Sequence, residues 1–86
     1  MARRNVLDYE RVLAVLESSN FRDKEGYVTI SDLESVFVAV TDKVRPETIR
    51  AHVEQMCRLN LLSKRGELSY RLSDGWRDVV KLYKKV

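Results

Sequence analysis

The residues able to engage a partner chemically lie mostly in one half of this chain. Lys43, Arg45, Thr48, Arg50, Gln55, Lys64, Arg65 and Arg71 supply positive charge and hydrogen bonds, and Ala51 leaves a gap among them for close approach. Residues 1–42 hold five Lys/Arg against eight Asp/Glu, whereas residues 43–86 hold eleven against five. Net charge is only +3, but this asymmetry points the basic half toward a polyanion. Covalent chemistry has little to work with. His52 is the sole histidine and Cys57, five positions later, falls on a different helical face. His52 reads as a helix residue bordering the core and Cys57 as a small buried hydrophobe. The acids show no paired-carboxylate or metal-ligand spacing, and three glycines form no phosphate-binding loop. The expectation is a protein that is not an enzyme and carries no cofactor or metal.

The 86 residues suffice for one modest core. Hydrophobic residues make up 44% and charged residues 34%, a globular balance. A lone cysteine cannot close an internal disulfide or build a cysteine zinc cage, and it suits a reducing compartment. No apolar run approaches the roughly 18 residues of a membrane span. No hydrophobic signal core follows "MARRN". A cytoplasmic protein without membrane partners is expected.

The elements that position the basic residues follow from periodicity and end signals. Asn5 caps a first helix with Asp8 in its first turn, and Tyr9, Val12, Leu13 and Leu16 form its apolar face. Ser18, Ser19 and Asn20 end it. "FRDKEG" is a charged loop turning at Gly26, and "YVTI" a brief strand. In "SDLE" Ser31 caps a second helix with Glu34 reaching back, and Leu33, Val36, Phe37 and Val40 line one face. Pro46 opens a third helix, Glu47 complements its dipole, Ile49, Val53 and Met56 turn inward, and Asn60 closes it. A hairpin with a two-residue Gly66–Glu67 turn follows, pairing Ser63 with Tyr70 and Leu61 with Leu72. That register puts Leu61, Leu68, Tyr70 and Leu72 inside, Lys64 and Arg71 together outside, and Arg65 at the tip. Ser73 caps a last helix with Trp76, Val79, Val80 and Tyr83 on its apolar face. The spacing of Tyr70, Trp76 and Tyr83 makes them core residues before it makes them a stacking platform for bases.

With these elements in order, "VTISDLESVF" and then "RPETIRAHVEQMCRLNLLSKRGELSYRLSDGW" resemble winged helix-turn-helix DNA-binding domains. The end, "YRLSDGWRDVVKLYKKV", is similar to small archaeal and bacterial transcription regulators and to those of archaeal viruses or plasmids. Ser73 stands where many relatives have threonine, Asn60 replaces a common glycine before the wing, and "AVTDKVRPE" is long for the turn between the two central helices. The resemblance implies a mainly α fold with a small β-hairpin (α+β), ordered helix-strand-helix-helix-strand-strand-helix. It implies one domain over 1–86, with 1–5 as a flexible arm that includes Arg3 and Arg4.

It also implies sequence-specific binding of double-stranded DNA by a transcription regulator. Helix 46–60 would read the major groove and wing 61–72 would meet the backbone or minor groove. Arg45, Thr48, Arg50 and Ala51 would approach bases or adjacent phosphates, and Gln55 would read adenine on deep insertion. Lys43, Lys64, Arg65 and Arg71 would meet phosphates, with the second helix's N-terminus at Ser31 as a further phosphate site. Glu47 and Glu54 repel phosphate and oppose purely non-specific binding. They also keep open the alternative of a protein–protein adaptor. Leu7 and Val6 on the first helix, with Leu82 and Val86 on the last, are left over by the core and would suit a homodimer seam.

Overall fold

The computed structural model describes the backbone of residues 3–19 and 24–84, and the side chains of residues 7–19 and 24–84. In chain order the elements are α1 (Arg3–Ser18), β1 (Tyr27–Thr29), α2 (Ile30–Val40), α3 (Pro46–Arg58), β2 (Leu62–Arg65), β3 (Ser69–Leu72) and α4 (Trp76–Lys84). Four helices thus pack with one three-stranded antiparallel sheet of order β1-β3-β2, an α+β arrangement. All seven elements send side chains into one cluster. Tyr9, Leu13 and Leu16 from α1, Leu33 and Phe37 from α2, and Ile49, Val53 and Met56 from α3 form its centre.

α1 begins upstream of the cap expected for it. Asn5 lies inside the helix, and residues 3–5, expected as an arm, are helical. Arginine is a good helix former, so Arg3 and Arg4 extend the helix past the asparagine. Asp8 is then carried into the second turn, where it is buried.

The capping box of α2 is formed two residues earlier than the Ser31–Glu34 pair. Thr29 Oγ1 accepts the Asp32 N–H at 3.1 Å, and Asp32 Oδ2 accepts the Thr29 N–H at 3.2 Å. Both "TISD" and "SDLE" satisfy the local pattern. Strand pairing decides between them. Thr29 is the last residue of β1, held opposite Ser69 with φ −86° and ψ 165°, the extended conformation a cap requires.

The hairpin is one residue out of the expected register. Leu62 faces Leu72, Ser63 faces Arg71, Lys64 faces Tyr70 and Arg65 faces Ser69, across a three-residue loop of Gly66, Glu67 and Leu68. A one-residue shift exchanges faces. Lys64 therefore shares the face of Leu62, Tyr70 and Val28, while Arg71 stands with Arg65 and Tyr27 on the other. Leu68, expected inside, is 62% exposed in the loop. The third strand explains the shift. β1 pairs with β3, and the Ile30 N–H donates to the Leu68 carbonyl at 3.0 Å, which fixes Leu68 by its backbone. The neighbouring Leu61 and Leu62 are both buried, so hydrophobic alternation could not choose between them.

Two more ends complete the frame. Asn60 is left-handed with φ 64°. Its N–H donates to Cys57 O at 3.1 Å and the Leu61 N–H to Met56 O at 2.9 Å. This is a Schellman closure, with Met56 and Leu61 both fully buried beneath it. Ser73 does not begin α4. The Asp74–Gly75 turn, with Gly75 at φ 73°, delays the helix to Trp76, whose N–H reaches the Ser73 carbonyl at 3.2 Å.

Candidate functional site

α3 is fastened along one side. Ile49, Val53 and Met56 are buried, and Arg45, Glu47, Arg50, Ala51, Glu54 and Arg58 are exposed. At 100° per residue, Ala51 lies near the middle of the open arc, flanked by Glu47, Glu54 and Arg58. Thr48 and Gln55 are half-buried on one flank. Arg50 occupies the other flank, toward α2, where its Nε donates to Glu34 Oε1 at 3.2 Å.

Lys43, expected as a phosphate contact, is differently employed. Its Nζ lies 2.7 Å from Asp8 Oδ2, and both side chains are only 12% exposed. Its ammonium holds the 41–45 connection onto α1 and is not presented to solvent. Thr41 secures the same connection: its hydroxyl donates to Phe37 O at 2.6 Å and accepts the Lys43 N–H at 3.1 Å.

The N-terminus of α2 is also taken. Its Ile30 and Asp32 N–H groups are used by Leu68 and Thr29, and the Asp32 carboxylate stands beside them. A phosphate near Ser31 would meet that charge. On the hairpin, Lys64 and Arg71 are exposed on opposite faces. The Arg65 guanidinium lies 3.7 Å from the Tyr27 ring centroid and pairs with Glu25. Arg71 runs over Gly26.

Comparison with protein families, with characterised proteins and with solved structures finds no match. The chemistry of the surface must therefore be taken from its own geometry. Among the described residues, no helix is long and apolar enough to cross a membrane.

Behind α3 lies a group of three rings. The Tyr9 hydroxyl is 2.5 Å from His52 Nδ1. Phe37 stacks on His52 at 27° with centroids 6.3 Å apart. Burial and the neighbouring Asp8 charge push the Tyr9 phenol up to about 12, so it stays protonated and shares a neutral hydrogen bond with the imidazole. Burial, then the Lys43 charge, holds His52 below the ordinary histidine value of 6.5, against a smaller opposing pull from Asp8. The folded chain therefore binds this proton more weakly than the unfolded chain does. The His52 contribution to stability is whole above about pH 6.5 and falls as pH drops below it. Thermal unfolding measured at about pH 7.5 and about pH 5.5 should show a larger loss for the wild type than for His52→Gln. Equal losses would remove His52 from the account. Cys57, expected as a small buried hydrophobe, is half-buried against the core, and its thiol is raised chiefly by burial. Such a thiol is a poor nucleophile.

Leu7 and Leu82, the described residues of the expected homodimer seam, are both exposed. Arg77 and Lys84 fasten a single flank of α4 to Glu17 and Glu10 of α1. Leu82 is exposed on the opposite flank. Leu7 is exposed on α1 beside Arg11 and Val40. The side chains of Val6 and Val86 lie outside the described residues.

Proposed function

We propose that the chain is a sequence-specific double-stranded DNA-binding module of the winged helix-turn-helix type, acting as a small transcription regulator. α3 enters the major groove, and the β2–β3 hairpin lies against the backbone or minor groove. One observation carries this reading: α3 is buried along one side and open along the other, next to a hairpin with exposed cations on both faces. A helix fits the major groove, where each base pair presents its own donors and acceptors. Arg45, Arg50 and Ala51 are exposed on the N-terminal half of α3, with Thr48 half-buried beside them. Lys64, Arg65 and Arg71 supply phosphate contacts from the hairpin. Glu47 and Glu54 disfavour any site whose phosphates come too close, and so favour selective binding.

The test is a salt titration of duplex binding. With about three to five phosphates neutralised, log affinity should fall with log salt at a slope of roughly −3 to −5. Lys64→Ala and Arg71→Ala should each weaken binding to all sequences alike and flatten that slope by about one. A folded protein with no detectable duplex affinity at about 50 mM salt would defeat the proposal.

A protein–protein adaptor is the second reading. The observation favouring it is a groove between α2 and α3, with Val38 and Val44 exposed and Glu34 beside them. It gains if duplex binding is absent. Binding as two-fold pairs on half-sites would use a homodimer seam that includes the exposed Leu7 and Leu82.

A further inference from the structure

Arg50 and Glu34 belong to different helices, sixteen residues apart, and meet through one nitrogen and one oxygen. The Arg50 side chain is 64% exposed and that of Glu34 only 25%. An ion pair this open adds little to stability. Its geometric effect is larger. A guanidinium is a rigid planar fork, so fixing Nε fixes the plane and leaves the two terminal nitrogens on a free edge. Two parallel donors on such an edge match O6 and N7 of guanine. Glu34 can act as a fixed point because it sits half-buried in the groove formed by Val38, Val44 and Ile49.

We propose that Arg50 reads a guanine through its terminal nitrogens while Glu34, a positioning residue on α2, holds its Nε and sets the angle of the guanidinium. This rests on the DNA-binding reading above and adds a specific base and a residue outside α3 that governs its choice.

The experiment uses the full chain and a pool of duplexes randomised over the central segment, at low salt, with the bound fraction sequenced. One selected duplex and its guanine-to-adenine counterpart are then titrated. The wild type should prefer guanine at one position by about tenfold or more, within the roughly 5- to 150-fold range of a bidentate contact. Arg50→Ala should still bind the pool but lose that preference. Glu34→Ala should lose most of it as well, with unchanged circular dichroism. Glu34→Gln, whose amide oxygen still accepts from Nε, should keep it within about threefold.

The amide separates geometry from charge, because alanine and glutamine remove the same charge. If both variants lose the preference equally, or Glu34→Ala retains it, Glu34 does not position Arg50 and the inference falls. It falls too if Arg50→Ala keeps the preference, or if the wild type binds the pool with no base choice. Those results leave the DNA-binding reading standing. Failure of folded wild type to retain any duplex overturns that reading, and this inference with it.

Discussion

Phe37→Ala should cost about 3–5 kcal/mol of unfolding free energy, a large share of the roughly 5–15 kcal/mol that holds a small domain together. Phe37 is fully buried on α2. Its ring meets Tyr9 edge-on at 76° with centroids 6.5 Å apart, and stacks on His52. Removing it leaves a cavity bounded by three helices, and the Tyr9–His52 hydrogen bond limits how far the remaining rings can close over it. Phe37→Leu keeps most of the volume and should lose about 1–2 kcal/mol. Urea unfolding followed by far-ultraviolet circular dichroism measures both. An alanine variant less than about 1 kcal/mol below the wild type would mean the rings are not packed as described.

Asp8 and Lys43 should show the strongest coupling of any charged pair described here. Lys43→Met alone leaves a carboxylate in a place with little access to water, and Asp8→Leu alone leaves an ammonium there. Each should destabilise by about 2–4 kcal/mol. Asp8→Leu combined with Lys43→Met removes both charges, fills similar volume and should come back to within about 1 kcal/mol of the wild type. Four denaturation curves complete the cycle. If the single losses simply add in the double variant, the ion pair is not made in solution.

The parts of this fold legible in sequence were those governed by neighbours along the chain. The apolar faces of α1, α3 and α4 appear as three- and four-residue spacings, and Asn60 appears as a residue at home in the left-handed region. The cap of α2 was legible as a motif but not as a position, because two overlapping boxes compete and a strand pairing chooses. The hairpin was legible as an element but not in register. Its loop is set by β1, a strand more than thirty residues upstream of β2. The candidate surface divides in the same way. Arg45, Lys64 and Arg71 are exposed as their residue types suggest, and Ala51 is exposed as its helical spacing suggests. The contacts of Lys43 with Asp8, His52 with Tyr9 and Arg50 with Glu34 span 35, 43 and 16 residues. No spacing rule reaches that far, so Lys43 looked available when it was taken, and Glu34 looked like a cap when it faced an arginine.

Thr29 ends β1 and caps α2, so no linker separates sheet from helix. The adjoining peptide is also tied, by the Ile30–Leu68 hydrogen bond, to the hairpin loop. A joint of this kind has no free residue between its two elements. A bend imposed on the hairpin should therefore reach the first turn of α2, the helix that carries Glu34 and backs α3 through Phe37. The hairpin is in this sense a lever whose fulcrum is one threonine, and the short arm of that lever ends at Arg50.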